Sequence, residues 1–181
     1  MSTAPERPRR RRSSAARRDD LVRAAVPAFA RGGLHGTAVS AISDAVGVTQ
    51  PYAFSLFKTK KALFLAAVER CFDRVEQTFR DAAATAPEPD GRLEAMGRAY
   101  VGLLEDRELL LLQLQAYAAC GDDDVRAVVH RRYAELYRLV AELSGADPEA
   151  LRAFFAHGML LNVAAAVDLP FFDDGGAALS D

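Results

Sequence analysis

Polar side chains interrupt one of the most apolar segments of the chain, Leu109–Cys120. Gln113 and Tyr117 stand four residues apart in it, with Gln115 between them. Because buried amides need hydrogen-bond partners, such groups either pair with a neighbouring helix or line a mostly apolar pocket for a small molecule. Asn162, in a second apolar stretch, has two interpretations of the same kind: a donor to a ligand, or a hydrogen bond across a subunit interface.

Catalytic and metal chemistry have no comparable signal. The sequence contains no GxSxG, HExxH, GxGxxG or phosphate-binding loop motif, and its three histidines do not cluster with carboxylates. Cys71 and Cys120 stand neither in a CxxC pair nor beside histidine at zinc-ligand spacing. We therefore expect no enzyme activity, no cofactor and no metal site.

Charge divides the chain into two unlike parts. The formal net charge is only −2, but residues 1–61 hold 12 Lys and Arg against 4 Asp and Glu, whereas residues 62–181 hold 11 against 21. Nucleic acid attracts basic surface because binding releases counterions. The asymmetry fits a nucleic-acid contact near the N-terminus, or a basic disordered tail on an acidic globule.

Helical spacing of apolar residues runs through the whole chain after an Arg-rich start, and no segment alternates as a strand would. We predict an all-α fold in three parts: a disordered tail over residues 1–16, a helix-turn-helix domain over 17–75 and a helical domain over 76–181. The predicted helices are 17–31, 37–46, 49–57, 60–84, 93–105, 108–120, 123–143 and 148–168.

Local signals set the ends of the first helices. Gly32 and Gly33 should stop the first helix in a left-handed conformation, and Pro27 should bend it or cost an internal hydrogen bond. Thr37 and Thr49 are suitable N-caps for the second and third helices. Two short helices joined by a tight turn that contains glycine are typical of a helix-turn-helix, whose second helix enters the DNA major groove.

The segment Gly36–Glu69, GTAVSAISDAVGVTQPYAFSLFKTKKALFLAAVE, resembles the DNA-binding domain of the TetR family of bacterial transcriptional regulators. The matching features are the Thr-x-Val-x-x-Ile pattern from Thr37, the Gly-Val-Thr turn from Gly47, the Pro51 helix with its aromatic pair, and the KTKKAL run into the fourth helix. The segment FAHGMLLNV from Phe155 also looks like the last helix of one subgroup.

The resemblance implies DNA-binding roles at individual positions. Thr37 and Lys60 correspond to phosphate contacts, and Phe54 stands where the family usually has a tyrosine whose hydroxyl often reaches a phosphate. The major-groove face would consist of Thr49, Gln50, Pro51, Tyr52 and Ser55. A glutamine amide suits adenine N6/N7, and Pro51 and Tyr52 offer apolar surface to a thymine methyl group. The resemblance also favours a pocket for a small, partly apolar effector at Gln113, Tyr117 and Asn162.

The last predicted helix is apolar around most of its circumference, which predicts burial by a second subunit. The sequence thus indicates a cytoplasmic homodimeric regulator, a repressor that an effector releases from operator DNA, with the fourth helix transmitting the signal. No membrane segment or secretory signal is expected. The alternatives are a helical binder or enzyme with an incidental helix-turn-helix-like start, and an Arg-rich tail that adheres to acidic membranes or RNA.

Overall fold

A computed structural model describes residues 13–86 and 88–169, and the all-α prediction is confirmed there. The described part contains eight helices and no strand. They are α1 (Ser14–Gly36), α2 (Val39–Val46), α3 (Gln50–Phe57), α4 (Lys60–Thr85), α5 (Pro89–Leu103), α6 (Arg107–Ala118), α7 (Asp123–Ser144) and α8 (Pro148–Ala166). No described helix combines the length and apolar character needed to cross a membrane.

The first helix begins earlier than the sequence suggested. The Ser13 hydroxyl caps it by accepting from the Ala16 backbone N–H at 3.1 Å, so residues 14–16 are helical and the predicted disorder of residues 1–16 is wrong for them. The rest of the predicted tail lies outside the described residues. A side-chain cap compensates for the weak apolar content of this segment, a local effect that composition does not reveal.

The break in α1 falls at Gly33 and not at Pro27. Gly33 has φ 60° and ψ −174° and is the one residue inside α1 with non-helical dihedral angles. The left-handed stop at the glycine pair is therefore confirmed, but a further short turn continues to Gly36. Proline removes one hydrogen bond without changing its own helical φ, so α1 passes through Pro27 unbroken.

The predicted N-cap role of Thr37 is wrong. Ala38 precedes α2 without any side-chain cap, and the Thr37 hydroxyl instead donates to the carbonyls of Gly33 at 2.8 Å and Ala28 at 3.1 Å. The Gly33 carbonyl lies at the break, and the buried Thr37 hydroxyl satisfies it. Thr49 does cap α3, since its hydroxyl accepts from the Tyr52 backbone N–H at 3.4 Å.

One continuous hydrophobic core joins the two predicted domains. Phe29 of α1 meets Phe64 of α4 edge-on, with ring centroids 5.1 Å apart. Further along α4, Phe79 packs against Tyr100 of α5 and Phe154 of α8, each at 5.7 Å. α6 packs on α1 as well as on α4 and α8. Both α4 and α6 therefore contact the N-terminal helices and the C-terminal ones.

Ion pairs fasten α7 to α4. The largely buried guanidinium of Arg132 binds Asp73 at 2.7 Å and Glu76 at 2.9 Å. Nearer the start of α4, Lys61 pairs with Asp124 and with Asp122 at 3.2 Å. The pKa of Asp122 is lowered by hydrogen bonds from the Val125 backbone N–H and from Lys61. These contacts hold the two long helices in fixed register.

Replacing Gly33 with alanine tests the break in α1. We expect a loss of about 1–3 kcal/mol, because only glycine adopts this backbone region without strain. In addition, a Cβ there would lie 2.6 Å from Oε1 of Gln115. Thermal unfolding should show a fall of about 2–4 °C per kcal/mol. Gly36→Ala is the matched control, since no atom lies within 4 Å of its added Cβ; equal shifts in the two variants would contradict this role.

Candidate nucleic-acid interface and internal cavity

One face of α3 is exposed and carries the side chains suited to reading DNA bases. Ala53 and Phe57 bury the opposite face in the core. The exposed face carries Thr49, Gln50, Pro51, Tyr52 and Ser55, all five positions predicted for the major groove. The structure thus leaves all five residues exposed on α3 and its N-cap.

The phenol of Tyr52 is the largest exposed apolar group on that face, with 38% of the residue accessible. The Ser55 hydroxyl donates to the Tyr52 carbonyl at 2.7 Å, so this hydrogen is already used within the helix. Phe54, which the sequence associated with DNA contact, is half-buried and packs against the core. Its ring orients α3 instead of extending the exposed face.

The two residues predicted to contact phosphate are engaged within the chain. Thr37 is buried and its hydroxyl hydrogen bonds to carbonyls of α1. The Lys60 ammonium donates to the carbonyls of His35 at 2.9 Å and Thr37 at 3.2 Å, which leaves one of its three hydrogens for an outside acceptor. The Thr37 hydroxyl is therefore unsuited to phosphate, whereas Lys60 retains some capacity for it.

Additional cations flank α3 that the sequence did not single out. The Arg18 guanidinium stacks on the ring of Phe57, 4.4 Å from its centroid. Lys58 follows α3 directly, is exposed and has the positive φ of 64°. Lys58 is thus a basic side chain at the end of α3, whereas Arg18 lies against the buried Phe57, a placement that only the packing of α1 against α3 reveals.

A cavity of about 700 Å³ lies among α4, α5, α6, α7 and α8. Its walls are mostly apolar and aromatic, and Gln113, Tyr117 and Asn162 all line it. The three residues predicted for a small-molecule site are thus brought together although they belong to two helices. Sequence spacing missed Tyr100 of α5, which lines the same cavity.

A hydrogen-bonded chain of neutral groups crosses this cavity wall. The Tyr100 hydroxyl donates to Asn162 Oδ1 at 2.7 Å and lies 3.3 Å from Gln113 Oε1. Gln113 Nε2 donates to the Tyr117 hydroxyl at 2.9 Å. Burial raises the pKa of Tyr100 to about 12 and also raises the pKa of Tyr117, so both phenols are uncharged at neutral pH.

The structure shows the partners of these amides within the chain, whereas contact with a ligand or with a second subunit stays a prediction. Gln113 both bonds to a neighbouring helix and lines the cavity, and Asn162 bonds to Tyr100 of its own chain. Gln115 is only partly buried and packs against Gly33 of α1. Consequently α6 contributes the Gln113 amide to the cavity wall and the Gln115 amide to the contact with α1.

The described residues include two free cysteines, Cys71 and Cys120. No group of three or more His, Cys, Asp or Glu side chains there is arranged to hold a metal ion. Burial raises the pKa of Cys71 to about 12, which keeps its thiol protonated and a poor nucleophile.

In the single chain α8 is not buried around its whole circumference, and its predicted cover by a second subunit stays a prediction. Leu161 and Asn162 face inward, but Leu160, Val163 and Val167 are 47%, 48% and 60% exposed. The helix therefore leaves an apolar stripe uncovered in the single chain. An exposed stripe of this kind is a common mark of a protein interface.

The N-terminal helices resemble a known protein family. The model of the tetR family of bacterial regulatory proteins matches residues 21–67, which include α2, α3 and most of the exposed face described above. Residues 21–67 are therefore similar to the DNA-binding domain of the TetR family. The resemblance drawn from the sequence is thereby confirmed.

One relative is the HTH-type transcriptional activator FasR of Mycolicibacterium smegmatis, 32% identical over 89 residues. The match covers 49% of this chain, and the chain spans 41% of that relative's length. A solved structure described as a transcriptional regulator from Pseudomonas aeruginosa PAO1 is 27% identical with a TM-score of 0.70, covering 90% of this chain and 85% of the other.

More distant structures extend the fold match over both domains. A TetR-like transcriptional regulator from Rhodococcus sp. RHA1 is 20% identical, with TM-score 0.68 and coverage of 88% and 87%. The fatty acid degradation regulator FadR from Bacillus halodurans is 18% identical, with TM-score 0.68 and coverage of 87% and 86%. The all-helical C-terminal domain therefore shares the architecture of TetR-type regulators.

Tyr100→Phe tests the hydrogen-bonded chain in the cavity wall. The change removes the donor to Asn162 Oδ1 and leaves a buried acceptor without its partner, so we expect a loss of about 1–3 kcal/mol in urea unfolding. Tyr52→Phe deletes an exposed hydroxyl and should change stability by less than about 0.5 kcal/mol. Equal stability of the two variants would show that the chain is not structurally important.

Proposed function

We propose that this protein is a sequence-specific transcriptional regulator that binds operator DNA as a homodimer and responds to a small molecule in its cavity. The observation that carries the proposal is the exposed face of α3 from Thr49 to Ser55, within the segment that matches the TetR family. A helix in this arrangement fits the DNA major groove.

Base recognition rests on the side chains at the start of α3. The Gln50 amide has the geometry to pair with adenine N6/N7, and Pro51 and Tyr52 supply apolar surface for a thymine methyl group. Each bidentate contact discriminates by about 1–3 kcal/mol. Lys58 and Lys60 stand beside this face and supply charge for phosphate contacts, which set position and not sequence.

Dimerisation follows from the uncovered stripe of α8. A second copy of the chain covers Leu160, Val163 and Val167 with the same residues in a two-fold arrangement. Two α3 helices in such a dimer read two half-sites, which requires a separation of about 34–36 Å. The operator is accordingly a palindrome.

In the proposed mechanism the dimer represses transcription because it binds its operator when the cavity is empty. A ligand that prefers another separation of the α3 helices shifts the population away from the DNA-binding form. The signal leaves the cavity through α4, which supplies Val75 and Phe79 to its wall, and through α6, which supplies Gln113. Both helices also contact α1.

Selection from random DNA duplexes at near-physiological salt tests the DNA-binding proposal. We expect enrichment of one palindrome, and Gln50→Ala should alter the preference at one symmetric pair of positions by about 1–3 kcal/mol. Gln77→Ala is the matched control, because Gln77 is exposed on α4 away from α3.

A version without residues 1–16 separates specific binding from adhesion of the Arg-rich segment. It should bind more weakly but select the same palindrome, since charge neutralisation is indifferent to sequence. If no palindrome is enriched and all retention disappears with the tail, the regulator proposal is wrong, and a helical binder or enzyme becomes the better account.

Val163→Glu tests the dimer interface. Two carboxylates would face each other across the symmetry axis, so we expect the dimer dissociation constant to rise by about 100-fold or more. Sedimentation equilibrium measures it, with Ala84→Glu on an exposed face of α4 as the control. An unchanged dissociation constant would place the interface elsewhere.

A further inference from the structure

We propose that the cavity takes a neutral, largely apolar molecule that carries a hydrogen-bond acceptor such as a ketone, ester or amide carbonyl. The inference rests on the proposed function, because it assigns a ligand class to the same regulatory site. It follows from an excess of free donors at the inner end of the cavity and from the absence of charge there.

The free donors can be counted from the hydrogen bonds of the cavity wall. The Tyr117 hydroxyl accepts from Gln113, so its own hydrogen is not used in that bond. Asn162 is only 2% exposed, and its Oδ1 accepts from Tyr100, while its Nδ2 group has no acceptor among the described residues. The Asn162 Nδ2 group and the Tyr117 hydroxyl can thus donate hydrogen bonds to a ligand.

A ligand acceptor satisfies these donors. Neither donor is a fully buried atom without a partner, since Arg132 Nε is the one such atom in the described part of the chain. A carbonyl oxygen in the cavity accepts from these donors and so forms hydrogen bonds that a hydrocarbon ligand lacks. A purely hydrocarbon ligand leaves them unpaired. The donor set therefore favours an acceptor on the ligand over a plain apolar molecule.

The hydrogen-bonding groups of the cavity wall carry no charge that could pair with an anionic or a cationic ligand. Tyr100, Gln113, Tyr117 and Asn162 are all neutral, and a buried ion without a partner is far more costly than a buried dipole. A carboxylate placed there meets no cation, and an ammonium group meets no carboxylate. Neutral ligands avoid this penalty.

The charged residues of the cavity lie at its rim. Arg98 is paired with Glu94 one turn earlier in α5, and both side chains are mostly exposed. His157 of α8 is also exposed. Because the arginine charge is already balanced and faces water, it offers little to an ion held deep inside.

The size and wall chemistry complete the description. About 700 Å³ is within the range of sites for small organic ligands. Phe79, Leu136, Phe154 and Leu161 supply apolar surface along the walls. The ligand is mostly hydrocarbon or aromatic, with the acceptor at one end.

Displacement of the apolar dye N-phenyl-1-naphthylamine from the full-length protein tests this class. The competitors are 2-decanone, decanoate and decylamine at pH 7, which have similar length but neutral, anionic and cationic head groups. We expect 2-decanone to displace the dye at a concentration at least about 10-fold lower than either ion.

Variants identify the donors. Tyr117→Phe should weaken displacement by 2-decanone about 3- to 10-fold, the usual value of one hydrogen bond, and leave the two ions unchanged. Asn162→Leu should act in the same direction. Tyr137→Phe is the matched control, since Tyr137 stacks on Phe155 and does not line this cavity.

Several results would overturn the inference. They are equal displacement by the three compounds, no change for 2-decanone in Tyr117→Phe, or absence of dye binding. Stronger displacement by decanoate that is lost in Arg98→Gln would instead place an anionic head group at the rim. None of these results affects selection of a palindrome by the same protein, so failure of the ligand class is distinguishable from failure of the regulator proposal.

Discussion

The carbonyl groups freed where α1 breaks at Gly33 determine how the N-terminal domain is assembled. The Thr37 hydroxyl donates to the buried Gly33 carbonyl from the start of the next segment, and Lys60 binds the carbonyls of His35 and Thr37 from the start of α4. These bonds tie the end of α1, the entry to α2 and the beginning of α4 into one unit. The orientation of α3, which stands between α2 and α4, depends on that unit.

The same break also brings the two domains together. Because Gly33 has no side chain, the Gln115 amide of α6 approaches α1 closely at this point. Two residues earlier in α6, Gln113 belongs to the cavity wall. A shift or rotation of this short helix therefore changes both surfaces at once, and tight packing on each side makes discrete positions more favourable than a continuous range.

Sequence periodicity predicted the eight helices and the exposed face of α3 because both follow from local rules: apolar spacing, glycine stops and the Thr49 cap. It failed at Thr37, because the hydroxyl of this residue bonds to a carbonyl nine residues earlier, that of Ala28. Local rules for N-caps do not include such a contact. It also missed Tyr100, since only folding brings α5 beside α6 and α8. The apolar surface of α8 predicted cover by a second subunit, and the single chain leaves Leu160, Val163 and Val167 exposed for such a contact.

Energetic coupling between cavity and DNA requires more than contact. A ligand shifts the equilibrium only by the difference between its affinities for the two forms, so the cavity must differ in shape or polarity between them. We propose that the donors of Tyr117 and Asn162 provide such a difference, since an acceptor binds both only where α6 and α8 stand at one separation. In this proposal, a neutral acceptor that fixes the separation acts through α6 on Gly33, and hence on the unit that orients α3.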